Sequence, residues 1–223
     1  MKKTTNISLL FLFLTVLLFG QENKYDSQIK IGRVKYGGGG DWYNDPSAEK
    51  NLLMFAKNNA GIDTAPGFEA VELSSDKIFS YPILFITGHG NINILDSEVR
   101  KLRAYLENGG FLYVDDDYGM DQSFRREMKK VFPDIDFVEL KNEHGLYKAF
   151  YDFPKGVPKI NEHDGKAPKG FGIFIEKRLI VLYTYESNPS DGWVDKEVHN
   201  IPEDKREQAL RFGTNILVWC LTH

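Results

Sequence analysis

The sequence contains very little cysteine. Its 223 residues include a single one, Cys220, which excludes an internal disulfide framework. C-x-x-C, H-x-H and H-E-x-x-H patterns are also missing, so no zinc signature is present. Neither a P-loop nor the G-x-S-x-G turn of serine hydrolases occurs. We therefore predict no metal and no cofactor, and we expect stability to come from packing.

Long hydrophobic runs are limited to one segment at the start. Lys2 and Lys3 precede the apolar run from Ile7 to Phe19, and polar sequence follows Gln21. This order is typical of a secretory signal, which predicts removal of residues 1–21 and a periplasmic or secreted protein. The run is shorter than the roughly 20 residues of a spanning helix, so a retained anchor is the weaker alternative. No stable membrane span is expected after signal removal.

Basic residues are also fewer than acidic ones. Without residues 1–21 the chain has 26 basic and 32 acidic side chains, a net charge of −6. An acidic chain of this kind is not expected to bind nucleic acid. The remaining 202 residues are enough to bury a complete core, so residues 22–223 are predicted to form a single domain.

The hydrophobic pattern alternates between strands and helices, which is typical of an α/β fold with a mostly parallel sheet. Asp45 and Pro46 are predicted to begin a helix that ends at Gly61. An antiparallel hairpin near the C-terminus is predicted from residues 171–175 and 179–184. Further strands are predicted at 29–36, 68–73, 81–87, 111–114 and 137–140, with helices at 96–107, 124–132 and 204–221, and long loops at 142–170 and 186–202.

The segment from Pro82 to Asp117 predicts where a site would lie. It reads as a buried strand, a Gly-His-Gly turn, an amphipathic helix, and a second strand that ends in three aspartates. Ligands of open parallel sheets bind beyond the carboxyl ends of the strands. We therefore predict a ligand site there, formed by residues from three strand exits: Gly38, Gly39, Asp41, Trp42, Gly88, His89, Gly90, Asn91, Asp115, Asp116 and Asp117.

Three of these residues are candidates for catalysis. His89 could act as an acid, a base or a ligand donor, or could simply hydrogen-bond its turn. Two of the consecutive aspartates could share one pocket, where repulsion would raise one pKa, or one could cap the next helix. We select Asp116 and Asp117, with His89, as the catalytic candidates. Trp42 offers an aromatic face suited to a sugar or peptide, and Trp193 is predicted to close over the same opening.

Several motifs together resemble a known family. They are KYGGGGDWYNDPSAEKNLLMF, LFITGHGNINILDSEVRKLRAYLENGGFLYVDDD, FRREMKKVFP, GIFIEKRLIVLYTYE and RFGTNILVW. The chain resembles the bacterial family of unknown function DUF4159 over nearly all of residues 22–223. This resemblance implies a class I glutamine amidotransferase-like fold, a flavodoxin-like three-layer sandwich also used by ThuA-like proteins. The resemblance implies that the turn after Val114 corresponds to the turn in which amidotransferases have their cysteine. This chain has Asp116 or Asp117 at that position.

Glutamine hydrolysis is therefore not expected, and we lean against an enzyme. The first hypothesis is an exported domain that binds a small molecule, a glycan or a protein at the sheet's carboxyl edge. The second is a hydrolase that uses a carboxylate and His89, with or without a metal, for which a glycan is a candidate substrate. The third is a structural component of the cell envelope.

Overall fold

The structure is a computed structural model that describes residues 28–65 and 67–223. The predicted signal segment lies outside the described residues. Helices flank both faces of one seven-stranded sheet, which confirms the predicted α/β class. The strands are β1 Ile31–Val34, β2 Glu69–Val71, β3 Ile83–Ile86, β4 Phe111–Asp115, β5 Val138–Glu139, β6 Lys169–Ile175 and β7 Arg178–Tyr185.

The sheet is mostly parallel and ends in the predicted antiparallel hairpin. Its strand order is β2-β1-β3-β4-β7-β6-β5, and the first five strands of this order run parallel to one another. β6 pairs antiparallel with both β7 and β5. The carboxyl ends of five strands therefore meet at one edge, which we call the carboxyl edge.

Five α-helices are present in the described residues. Their bounds are α1 Ala48–Ala60, α2 Asp96–Glu107, α3 Asp121–Val131, α4 Lys196–His199 and α5 Glu203–Thr222. The four longer ones cover the two faces of the sheet and make three layers, whereas the four-residue helix buries none of its side chains. Each face of the sheet has its own apolar cluster. Leu102 of α2 and Phe124 of α3 belong to one cluster, while Leu52 of α1 and Phe212 of α5 belong to the other. Packing on both faces explains why β3 and β4 are buried at every position.

The helix predicted from Asp45 begins later than expected. Ser47 is the residue that precedes α1, and Asp45 has a left-handed backbone with φ of 53°. Its carboxylate contacts His199 rather than the helix start. The end of α1 is as predicted, because Gly61 has a φ of 67° that favours glycine. Asp45 therefore has a tertiary partner that a local capping rule does not detect.

In the part of the chain that the structure describes, no helix has both the length and the apolar content that crossing a bilayer requires.

Candidate functional site

Three strand exits converge at the middle of the carboxyl edge. β1, β3 and β4 are neighbours in the sheet, so the loops at 37–45, 87–95 and 115–120 follow them side by side. Backbone bridges join the first loop to the second at Gly37 and Asn93, and the second to the third at His89 and Tyr118. The three loops that follow these strands therefore form one continuous surface.

The glycine run at 37–40 holds the second loop in place through backbone hydrogen bonds. The amide of Asn93 donates to the Gly37 carbonyl at 2.8 Å, and the amide of Gly40 donates to the Asn91 carbonyl at 3.1 Å. Gly38 has a φ of 104°, and a Cβ there would collide with the backbone of Asn93. Only glycine allows the two loops to lie this close. The run thus positions the loop that carries His89, while Gly39 stays open to solvent.

His89 lies between two carboxylates. Its Nδ1 is 3.0 Å from Asp41 Oδ2, and its Nε2 is 3.3 Å from Asp117 Oδ2. The backbone N–H of His89 also donates to Asp41 Oδ1, so Asp41 fixes both the main chain and the ring. The imidazole is 50% exposed, whereas the Asp117 side chain is 4% exposed. A ligand can therefore reach the imidazole, with the buried acid behind it.

Asp117 is held in place by two amides. Asn44 Nδ2 donates to its Oδ2 at 2.5 Å, and Asn188 Nδ2 donates to its Oδ1 at 2.8 Å. Burial, followed by the fields of Asp191 and Asp45, raises the pKa of Asp117 to about 9. A raised pKa favours the protonated acid at neutral pH. The site thus pairs an accessible imidazole with a carboxyl group that can hold a proton.

The other two aspartates point elsewhere. Asp115 accepts hydrogen bonds from Thr184 Oγ1 at 2.6 Å and from the Ser190 amide at 2.7 Å. Asp116 accepts from the Met120 amide at 3.0 Å and from another buried group, the hydroxyl of Tyr183. Both side chains are buried and fully engaged within the fold. Of the three aspartates, Asp117 alone meets His89.

The tryptophans occupy different environments. Trp42 is partly buried against the core cluster that contains α2 and α3, and Lys35 Nζ lies 5.9 Å from its ring. Trp193 is 1% exposed and packs 5.5 Å from the ring of Phe85 under the other face of the sheet. The prediction that Trp193 closes over the opening is wrong. A local reading of Gly192-Trp193 does not reveal the core rings of Phe85 and Tyr113, which Trp193 contacts in the fold.

Sequence reasoning missed the residue that shapes the first loop. Arg33 lies on β1 and is completely buried, where it forms a two-point ion pair with Glu49 of α1 at 2.5 and 2.7 Å. Its Nη1 donates to the carbonyls of Trp42 and Asn44, so it also holds the loop that carries Asp41. An arginine inside an apolar strand such as IGRV is the available signal, because a buried charge requires a partner.

A second polar group was also missed. His199 Nε2 is 2.8 Å from Asp45 Oδ1 and 3.6 Å from Asp191 Oδ1. Asp191 and His199 are eight residues apart, but Asp45 lies 146 residues before Asp191, so no spacing motif connects all three. Asn188 joins this group to the first, since its Nδ2 contacts both Asp117 Oδ1 and Asp191 Oδ2.

A polar cavity opens on the other side of the third loop. It encloses about 420 Å³ and is lined by acidic, basic and aromatic side chains, among them Asp116, Tyr118, Lys166 and Tyr185. His163 also lines it and lies with its ring 5.5 Å from that of Tyr118. The long loop predicted at 142–170 therefore contributes to the carboxyl edge beside the His89 site.

Comparison with known proteins adds the family. A family model described as "Domain of unknown function (DUF4159)" matches residues 30–221. The chain belongs to the DUF4159 family. No match was found among curated proteins. The lone cysteine of this DUF4159 domain is far from the carboxyl edge, because Cys220 Sγ contacts the Pro82 carbonyl, just before β3 begins. Burial raises the pKa of that thiol to about 12.

Proposed function

We propose that this DUF4159 domain is an exported protein that binds a polar ligand at the carboxyl edge, with His89 and Asp117 at the centre. The observation that carries the proposal is the half-exposed imidazole held between Asp41 and the buried Asp117. Export rests on the basic and apolar pattern of residues 1–21 and implies a periplasmic or extracellular ligand.

The strand order supports this location. Numbered along the chain, the five parallel strands follow the order 2-1-3-4-5, the doubly wound order of flavodoxin-like proteins. In that order the connections diverge between β1 and β3, where ligands of such sheets bind. Asp41 and His89 follow these two strands. The order is also what the amidotransferase-like and ThuA-like resemblance implies, so we assign the finer fold class on this basis.

The surroundings favour an uncharged or cationic polar ligand. Asp41 and Asp117 flank the imidazole, which disfavours a close anion. Asn91, Tyr43 and Tyr118 are exposed nearby, on the same three loops. Amides and aromatic faces beside carboxylates suit a saccharide or a short peptide. A glycan or peptide fragment of the cell envelope fits these features better than a nucleotide does.

Glutamine hydrolysis does not fit this chain. The turn after β4 has Asp116 and Asp117 where an amidotransferase has its nucleophile. Cys220 lies at the opposite edge, and its raised pKa keeps the thiol protonated and unreactive. We infer a domain that retains the scaffold without that reaction.

A ligand screen tests the binding site. We would measure the melting temperature of the purified protein against oligosaccharides, cell-wall fragments, amino acids and short peptides. A true ligand is expected to stabilise the parent and to lose this effect in His89→Asn and Asp117→Asn. Asp76→Asn, which changes a carboxylate that is 90% exposed and paired with Lys101 of α2, is the matched control and should retain the shift. Equal shifts in all four proteins would contradict the assignment.

One observation favours a second candidate function. The chain of contacts from Asp41 through His89 to Asp117 resembles an oriented base beside a proton-holding acid, as a hydrolase requires. In that case turnover of a glycan or peptide would be lost in His89→Asn and Asp117→Asn, and reduced in Asp41→Asn. Binding without turnover by the parent would leave the ligand-binding function and exclude hydrolysis of that ligand.

The third alternative, a structural envelope component, has less support. It would need a continuous exposed apolar patch. Among the described residues, the exposed apolar side chains belong to different faces, such as Met54 on α1 and Leu95 before α2.

A further inference from the structure

Asp45, Asp191 and His199 form a compact group beside the His89 site. Each offers one ligand atom, and these atoms lie within 4.8 Å of one another. Asp45 is 5% exposed and Asp191 is 2% exposed, so both carboxylates are withdrawn from water. His199 is 29% exposed at its side chain and forms the outer wall of the group. Solvent can therefore reach the group past the imidazole.

The hydrogen bonding of this group is incomplete. Asp45 Oδ2 and Asp191 Oδ1 are buried without a hydrogen-bond partner among the described residues. The Asp191 oxygen faces His199 Nε2 at 3.6 Å, beyond hydrogen-bond reach. The amide oxygen of Asn188, whose Nδ2 lies 3.2 Å from Asp191 Oδ2, is also buried and unpartnered among the described residues. Buried polar atoms are normally paired, and a bound ion is one established reason for a group of orphaned oxygens.

We propose that Asp45, Asp191 and His199 bind a divalent transition-metal ion. Carboxylate oxygens and imidazole nitrogens bind such an ion at about 2.0 to 2.2 Å, which separates neighbouring ligand atoms by roughly 3 to 3.5 Å. The two distances from His199 Nε2, 2.8 Å to Asp45 Oδ1 and 3.6 Å to Asp191 Oδ1, lie on either side of this range, and all three ligand atoms are within 4.8 Å of one another. Three protein ligands leave at least one position for water or a ligand, as in catalytic metal sites.

The donor set indicates the kind of ion. Imidazole favours zinc and related transition metals, while carboxylates also accept manganese. Calcium would require six to eight oxygen ligands, more than this group offers. Charge points the same way. Among the described residues, His199 is the one basic side chain that contacts both buried carboxylates, and Arg33, whose field reaches Asp45, is already paired with Glu49. A divalent cation would compensate this buried negative charge.

The metal site is distinct from the His89 site but connected to it. Asn188 donates to Asp117 Oδ1 at 2.8 Å and lies 3.2 Å from Asp191 Oδ2. An ion at Asp191 would therefore be separated from Asp117 by one amide. The inference does not rest on the proposed ligand or on any reaction at His89, and its failure would leave that proposal intact.

Metal titration tests the site. The chelator-treated protein would be titrated separately with Mn²⁺ and Zn²⁺ by calorimetry, with Mn²⁺ paramagnetic resonance as a second readout. We expect one ion per chain. Asp191→Asn and His199→Gln should weaken binding by about tenfold or more, since even indirect partners of a metal ligand contribute 10-fold to 100-fold to affinity. Asp136→Asn, which changes an exposed carboxylate in the segment between α3 and β5, should bind as the parent does.

Two results would overturn the proposal. One is the absence of saturable binding of either ion by the parent protein, which does not depend on how the variants fold. The other is parental affinity in either Asp191→Asn or His199→Gln. Circular dichroism would verify folding, and should Asp191→Asn fail to fold, His199→Gln decides, because its side chain is on the short surface helix α4.

Discussion

Arg33 connects the buried core to the site at the level of a single side chain. Its guanidinium is fully buried, pairs with Glu49, and lies 4.8 Å from the centre of the Phe85 ring. Replacement by methionine would leave the Glu49 carboxylate buried without its partner. We expect Arg33→Met to lower the free energy of unfolding by about 3 to 5 kcal/mol, measured by urea denaturation.

A double variant separates the effect of leaving the Glu49 charge unpaired from the effect of changing the size of the Arg33 side chain. Arg33→Met combined with Glu49→Leu removes both buried charges, so we expect it to be more stable than Arg33→Met alone. It would still lack the donors to the Trp42 and Asn44 carbonyls, so ligand binding at His89 should remain weak. A double variant as unstable as the single one would contradict the ion-pair account.

Gly88 sets the position of His89 through its backbone. It has a φ of 136°, and a Cβ there would collide with the Tyr36 hydroxyl and approach the Asp41 carboxylate. We expect Gly88→Ala to reduce stability by about 2 to 4 kcal/mol, the sum of backbone strain and collision. Gly39→Ala is the matched control, because its φ of 90° is also left-handed but no atom lies within 4 Å of the added carbon.

The comparison of the two glycines isolates the steric contribution. Thermal and urea denaturation should show a smaller loss for Gly39→Ala, roughly 1 to 2 kcal/mol from strain alone. Equal losses of unfolding free energy in both variants would show that the close approach of Gly88 to Tyr36 does not contribute to the destabilisation.

At the scale of elements, local patterns predicted what local forces determine. The helix from Asp96 to Glu107 has the predicted bounds, because its apolar stripe and the following glycines are both encoded within a few residues. The β6–β7 hairpin was also predicted from alternation, although Glu176 adopts the left-handed turn conformation in place of glycine. Elements whose hydrophobic period is strong are readable from the chain alone.

Features determined by distant partners were not predictable in this way. Asp45 was read as a helix cap, yet its carboxylate contacts His199, 154 residues later in the chain. Trp193 follows a glycine in a loop, yet the whole ring is in the core. The convergence of His89 with Asp117 follows from strand order, whereas the choice of Asp117 over Asp116 depends on side-chain direction after β4. Sequence patterns do not contain that direction.

On the scale of the whole molecule, the site is located where the sheet has its most buried acidic groups. Asp115 is fully buried at the end of β4. It accepts hydrogen bonds from Thr184 of β7 and from Ser190 in the loop after β7, so it connects that strand to that loop. Burial raises the pKa of Asp115 to about 7. The architecture therefore places a titrating carboxyl group between the central strands and the loop that also supplies Asp191.

This arrangement predicts how stability changes with pH. In the unfolded chain Asp115 loses its proton near pH 4, whereas in the folded protein it retains the proton to about pH 7. The folded state binds more protons between these values, so this group lowers stability as pH rises through that window, by roughly 4 kcal/mol at most. Burial is the main cause of the raised pKa of Asp115, and the field of Asp191 adds to it. Burial also raises the pKa of Asp117, so that group acts in the same direction.

Urea denaturation between pH 4.5 and 7.5 in metal-free buffer measures this effect. We expect the parent to lose stability relative to Asp115→Asn as pH rises, so that the difference in unfolding free energy between the two proteins changes across the window. The exposed-site control, Asp76→Asn, should follow the parent at every pH because its carboxylate is 90% exposed. If the difference between the parent and Asp115→Asn is constant with pH, Asp115 is ionised throughout, and its three donors from Thr184 and Ser190 outweigh the cost of burial.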